Sequence, residues 1–305
     1  MHKSMNDKPS ALQSWILAAR PKTLTCALAP VMIALAATWN DTRTINVLPA
    51  LLCTLFAIFM QIDANFINDY YDCLKGVDHE DRLGPERACS QGWISLPSMR
   101  RGILITTVLS ALVGLPLLFY TDMYCILIGA ACILFTFLYT TLFSRIAMGD
   151  ILVVMFFGLI PVSCTYYIQT GQLTMQVWML ALAQGLVADC LLIVNNFRDR
   201  YTDAMHGKIT LVTIIGPKAA LWLYFLIGII STYLVTVSIT LNGDLFDVTL
   251  NTHMLPVLAF LPLHFHCVAR MIRIKRGKAL NSVLAMTALS IFLFALMISI
   301  SLIVQ

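Results

Sequence analysis

Eight stretches of this chain contain no Asp, Glu, Lys or Arg: 23–40, 44–62, 102–121, 123–144, 152–188, 219–243, 248–269 and 279–305. Each approaches or exceeds the roughly 20 apolar residues that a helix needs to cross the hydrocarbon layer. The fifth is long enough for two helices and is interrupted by Gln169-Thr170-Gly171-Gln172, a polar, turn-favouring tetrapeptide. The pattern therefore predicts about nine spans. Within the runs apolar residues are continuous rather than alternating, which excludes a membrane barrel and leaves the helix as the spanning element. The expected fold is an all-α membrane protein, a bundle of about nine transmembrane helices. No Pro/Ser/Gly linker divides it, so residues 1–305 are read as one transmembrane domain.

Composition agrees, with 59% hydrophobic and only 12% charged residues where a soluble domain has about 25% charged. A mean hydropathy of +0.82 excludes soluble, disordered and collagen-like classes. The formal net charge of +4 is too small and scattered for a nucleic-acid partner. Sidedness is informative: alternating nine spans across the bilayer puts nineteen of the 20 Lys and Arg on one side and only Arg43 on the other. The positive-inside rule then places the N-terminus and the long loops in the cytoplasm and the C-terminus outside. Residues 1–8 lack the apolar core and cleavage site of a removable signal peptide. The nine Cys residues form no CxxC pair, so neither a disulfide framework nor a zinc site is expected.

The polar chemistry collects in two long cytoplasmic loops. The first runs from Asn65 through Asn68, Asp69, Tyr70 and Asp72 to Lys75, Asp78, Glu80, Asp81, Arg82 and Arg87; the second runs from Asn195 through Arg198, Asp199 and Asp203 to Lys208. Asn65/Asp69, Asn68/Asp72, Asn195/Asp199 and Asp199/Asp203 are all four apart, which stacks each pair on one helix face. Carboxylates with carboxamides and no Cys/His set suit a hard cation, specifically Mg²⁺, which uses few protein ligands and completes its shell with substrate phosphates. The neighbouring Arg and Lys residues supply counter-charge for those phosphates. Arg20 and Lys22, at the entrance to the first span, fit either a site role or an ordinary positive-inside anchor. A polar diphosphate–Mg²⁺ head above apolar helices that accept a hydrocarbon tail describes a polyprenyl diphosphate. Asp63 and Asp189 fall inside spans, where an acid is by default a candidate site residue; cavity-lining acceptor contacts, proton carriers and interhelical hydrogen bonds are all open to them.

At these residues the chain resembles the UbiA superfamily of intramembrane aromatic prenyltransferases. Asn195-Asn196-Phe197-Arg198-Asp199, Asp203 and Gly207-Lys208 follow that family's second motif. Arg20-Pro21-Lys22-Thr23-Leu24, Asn68-Asp69-Tyr70 with Asp72, Lys75-Gly76 with Asp78, and Asp81-Arg82 with Arg87 are similar to the branch that prenylates 1,4-dihydroxy-2-naphthoate. The sequence departs from the family between Tyr139-Thr140 and Gly149-Asp150, and at Asp63 and Asp189, where small or uncharged residues are the rule. The resemblance implies transfer of a polyprenyl chain to the naphthoate with loss of CO₂, giving demethylmenaquinone, at the cytoplasmic membrane with the active site toward the cytoplasm. It implies Mg²⁺ held by Asp69, Asp72, Asp199 and Asp203, with Lys208 also catalytic. Asn65, Asn68, Lys75, Arg82, Arg87, Asn195, Arg198 and Lys208 would bind the diphosphate. Arg20, Lys22, Tyr70, Tyr139, Asp63 and Asp189 would contact the acceptor or stabilise the allylic cation. A related aromatic acceptor such as 4-hydroxybenzoate is the alternative within the class. In a different class, a secondary transporter would use Asp63 and Asp189 to carry protons or cations.

Overall fold

The computed structural model describes residues 9–76, 83–143, 146–240 and 255–305, with the side chains of 240, 255 and 256 excepted. Among these the chain is a helical bundle. Its elements are α1 (Ala11–Ala19), α2 (Pro21–Thr42), α3 (Val47–Leu74), α4 (Leu96–Gly114), α5 (Tyr124–Thr141), α6 (Gly149–Val154), α7 (Ile160–Thr170), α8 (Met175–Met205), α9 (Leu211–Thr240), α10 (Leu255–Leu258), α11 (Phe260–Ile274) and α12 (Leu280–Val304). Among the described residues eight helical segments are long and apolar enough to cross a membrane. The remaining predicted span, 248–269, begins outside the described residues, and its described part is α10 with most of α11. The polar tetrapeptide at 169–172 does separate two spans, α7 and α8.

The principal addition to the sequence reading is α1, a short helix closed at its start by a reciprocal Ser10–Gln13 capping box. It ends at Arg20, whose left-handed backbone (φ 50°) turns the chain, and Pro21 then opens α2. That corner brings Arg20 and Lys22 to the end of the bundle where Asn68 and Asn195 lie. Trp15 of α1 packs edge-on against Phe66 of α3 at 5.3 Å.

Two large buried clusters and a small one around Cys53, Leu117 and Ile168 make up the apolar interior of the described residues. A large apolar core joins α2, α7, α8, α9, α11 and α12, where α2 contributes small residues such as Ala29, Ala34 and Ala37 that admit close neighbours. A smaller one joins α1, α3, α4 and the segment around Ala88–Ile94. The helices carrying the two polar motifs outrun their charge-free stretches: α3 continues through Asp63 to Leu74 and α8 through Asp189 to Met205. At 28 and 31 residues they are roughly 42 and 46 Å long against a hydrocarbon layer of about 30 Å. The acids therefore ride on rigid helix rather than on loops.

Between α6 and α7 the helix widens into a π turn at Met155–Leu159. It packs closely against α8, where a Cβ on Gly158 would lie 2.4 Å from the Ala181 carbonyl oxygen, and one on Gly185 2.5 Å from that of Val154. Only glycine fits either place.

Candidate active site

A cavity of about 810 Å³ lies between the two cores. Its body is apolar, with walls from α2, α3, α5, α7, α8 and α12. At one end it is polar, lined by Arg20, Lys22, Asn68, Asn195, Arg198 and Asn281. Asn68 and Asn195 come from the two sequence motifs, so the fold brings both to one cavity mouth.

Among the described residues three ion pairs join side chains of the two motifs, and of their six residues Arg198 lines the cavity. Arg87 reaches across from the loop after α3 to Asp72 and also donates to the Asn68 carbonyl oxygen. Arg198, only 3% exposed, donates through Nε to Asp199 Oδ1 and through Nη2 to Asn195 Oδ1, each at 2.7 Å, with Nη2 also held by Asp199 Oδ2. Lys208 pairs with Asp203 at 3.3 Å. Asp72 and Asp199 remain 24% and 22% exposed, so their carboxylates are reachable from outside the protein.

Other predicted residues do different work. Asp69, expected as a metal ligand, is 1% exposed and accepts backbone N–H bonds from Ala88 and Cys89, both at 2.9 Å. Its oxygens cap the turn that carries Arg87, because Asp69 lies about 100° around the helix from the face of Asn68 and Asp72. Asn65, expected at the diphosphate, donates to the Ala19 carbonyl at 2.9 Å and to Thr23 Oγ1 at 3.0 Å, which holds the Arg20 corner against α3. Lys75 donates to the carbonyls of Thr140 and Thr141, tying the ends of α3 and α5 together. Tyr70 packs edge-on to Tyr71 within the smaller core, away from the cavity. Asp63 is sealed between α3 and α4, its two oxygens accepting from the Thr106 and Thr107 hydroxyls. Arg82, with Asp78, lies outside the described residues. Tyr139 does line the cavity.

The donor chemistry fits Mg²⁺. The accessible groups at the mouth are carboxylate and carboxamide oxygens, and the acids are already balanced by Arg and Lys that phosphate oxygens can take over. Among the described residues no three acids, His or Cys converge to enclose a metal alone. A cation that completes its shell with substrate phosphates does not require such a cage.

Residues 27–296 match the UbiA prenyltransferase family. The chain belongs to that family. It is 37% identical over 220 residues to the 1,4-dihydroxy-2-naphthoate octaprenyltransferase of Escherichia coli, covering 69% of this chain and 71% of that one. The enzyme of the same name from Haemophilus influenzae is 35% identical over 224 residues, 70% of this chain and 72% of the other. Among solved structures, a UbiA homologue from Archaeoglobus fulgidus bound to DMAPP and Mg²⁺ shares the fold with a TM-score of 0.61 at 16% identity, over 94% of this chain and 99% of that one.

Within this UbiA protein, sequence reasoning missed Asn281. It stands at the second position of α12, accepts from Arg198 Nη1 at 2.7 Å and donates to the Leu83 carbonyl at 2.8 Å. It thus clamps the loop of the first motif to the helix of the second. The only signal was one Asn opening an otherwise apolar run just after Lys275, Arg276 and Lys278. The segment between α5 and α6 also meets the loop after α8, where Ala147 N–H donates to the Ile209 carbonyl at 3.0 Å.

Proposed function

We propose that this UbiA family member transfers a polyprenyl chain from its diphosphate to 1,4-dihydroxy-2-naphthoate, with loss of CO₂, giving demethylmenaquinone. The observation that carries the reading is that both motifs supply the polar end of one apolar cavity, through Asn68, Asn195 and Arg198, with three acid–base pairs within the same motifs. The acceptor is favoured by the naphthoate prenyltransferases of E. coli and H. influenzae that the chain resembles over most of its length.

The chain's own residues account for the chemistry in order. Arg198, Lys208 and Arg87 bind diphosphate oxygens, and the forked guanidinium of Arg198 fixes their orientation. Asp72, Asp199 and Asp203 are the ligands for Mg²⁺, which when bound stabilises the negative charge that develops on the leaving diphosphate. The prenyl tail lies in the apolar cavity, whose dryness protects the allylic cation from water. The Tyr139 ring offers that cation a π face. Arg20 and Lys22 stand where they can pair with the acceptor carboxylate. The electron-rich ring then attacks the prenyl carbon. In this proposal residues 1–305 form one multi-pass domain of the cytoplasmic membrane, with the N-terminus and cavity mouth on the cytoplasmic side. The split of nineteen basic residues against Arg43 supports that orientation.

The test is purified chain with Mg²⁺, a polyprenyl diphosphate and 1,4-dihydroxy-2-naphthoate. A prenylated naphthoquinol with equimolar diphosphate and CO₂ is expected. Product with 4-hydroxybenzoate alone moves the chain to a sister acceptor, and no product with any aromatic acid overturns the reading.

A further inference from the structure

The two acids that the sequence offered as acceptor contacts do not line the cavity. Asp63 is held by Thr106 and Thr107, and Asp189, midway along α8, is 4% exposed, with its Oδ1 unpartnered among the described residues. Gln61 is a polar side chain that does line it, beside Ala57, Ala64 and Asn68 of the same helix. Gln61 stands seven residues before Asn68, which is two turns less about 20°, so it shares the Asn68 face of α3 and lies about 10 Å further into the cavity.

Its neighbours decide which end of the carboxamide is left for the cavity. Asn65 commits both amide protons, to the Ala19 carbonyl at 2.9 Å and to Thr23 Oγ1 at 3.0 Å, so only its Oδ1 remains for Gln61. The Thr23 hydroxyl gives its single proton to the Arg20 carbonyl at 2.9 Å and can otherwise only accept. Both groups therefore require a donor, and Gln61 meets them with Nε2, at 3.4 Å to Thr23 Oγ1 and 3.5 Å to Asn65 Oδ1. A flipped amide would set its oxygen against two acceptors. Oε1 is the other end of the planar amide, and among the described residues no group donates to it. As a tie between α2 and α3 Gln61 adds little, because Asn65 already joins them through shorter bonds; a carboxamide left half unsatisfied against apolar walls costs free energy unless a ligand completes it. Asn68 is turned the opposite way: its Oδ1 accepts from the Thr140 hydroxyl at 2.7 Å, leaving amide N–H groups for the mouth. One face of α3 thus offers donors at the mouth and an acceptor deeper in.

An open acceptor selects its partner by chemistry. The oxygens of a metal-bound diphosphate only accept, and a prenyl tail has no polar hydrogen. Of the parts of the substrates proposed above, the ring hydroxyls of the aromatic acceptor are the ones that donate. We propose that Gln61 is a specificity-determining residue of the acceptor site, its Oε1 accepting a hydrogen bond from a ring hydroxyl of the hydroxylated aromatic acid. This rests on the prenyl transfer proposed above. Lys22 lines the same cavity and adjoins the Thr23 that holds Gln61, so groups fitted to a carboxylate and to a hydroxyl come from neighbouring positions of α2 and α3. Two fixed points orient a planar ring where one would leave it free to turn.

Equilibrium dialysis of the full chain with Mg²⁺ tests this, using 1,4-dihydroxy-2-naphthoate and the two analogues that each lack one ring hydroxyl, 1-hydroxy-2-naphthoate and 4-hydroxy-2-naphthoate. In the unaltered chain one analogue binds about tenfold more weakly than the naphthoate, the cost of leaving the acceptor oxygen unpaired. In Gln61→Leu, which has no such oxygen, the naphthoate weakens by the same factor and that analogue binds as well as the naphthoate does. The KM for the polyprenyl diphosphate is unchanged. Equal affinity of the unaltered chain for the naphthoate and both analogues overturns the proposal, and so does a penalty for the missing hydroxyl that persists in Gln61→Leu. An equal weakening of all these ligands in the variant, the mark of a purely structural loss, also overturns it, while prenylation of the naphthoate by the unaltered chain would leave the reading of function standing. If binding depends on Gln61 as expected but the unaltered chain forms no prenylated naphthoquinol, the reading of function fails and the acceptor subsite stands.

Discussion

Arg198→Lys separates the charge of the mouth from its geometry. In the parent chain one guanidinium holds both oxygens of Asp199, the Asn195 side chain and the Asn281 side chain. Lysine keeps the positive charge, but its single ammonium sits at the tip of a linear stem and cannot face three directions at once. It retains the carboxylate, and the bonds to Asn195 and Asn281 are lost, at about 1 kcal/mol each. The sum, about 2 kcal/mol, corresponds to roughly a 30-fold loss in kcat/KM if both bonds serve to orient the diphosphate. Steady-state rates with a polyprenyl diphosphate and Mg²⁺ measure it directly. A second substitution, Asn281→Ala, should add little to Arg198→Lys although it is costly alone, because both remove the same link. A rate within about threefold of normal for Arg198→Lys, or fully additive losses, would refute the view that this fork organises the mouth.

Asp199→Ala and Asp203→Ala should each lower turnover by about two orders of magnitude or more, the scale of a lost charge-stabilising group, with helical circular dichroism unchanged. Asp69→Ala should act on stability first: it strands the buried N–H groups of Ala88 and Cys89, at about 1–3 kcal/mol each, so the thermal midpoint falls and added Mg²⁺ does not restore it. Gly185→Ala should force α8 away from α6, since the new Cβ meets the Val154 carbonyl oxygen at 2.5 Å; the expected destabilisation is about 1–3 kcal/mol, read as a lower unfolding temperature in detergent.

The membrane architecture was legible because apolar runs of about 20 residues seldom occur outside a bilayer. The two polar motifs were legible in part, because Asn and Asp at fourfold spacing share a helix face. The spacing did not say which face meets the cavity. Asn65/Asp69 and Asn68/Asp72 are equivalent patterns, yet of the four only Asn68 lines the cavity, while Asn65 and Asp69 fasten α3 to the Arg20 corner and the Ala88 turn. Asp63 and Asp189 read alike as acids within apolar helices. Their difference lies in whether another helix supplies hydroxyls, and Thr106 and Thr107 stand more than forty residues from Asp63. Asn281 belongs to no spacing at all, and its importance comes wholly from where α12 returns.

The π turn at Met155–Leu159 holds one residue more than a regular helix would over the same rise. Everything after it is therefore rotated by about 100° relative to an uninterrupted helix. That rotation sets where Tyr166 and Tyr167 emerge, and their hydroxyls reach Asp41 and Asp122 on the segments that flank α7 at its far end. Deleting one residue from the turn would make a straighter helix and break both attachments together. The widened turn thus lets the cavity wall and the outer rim keep different registers on one continuous span, each free to change without resetting the other.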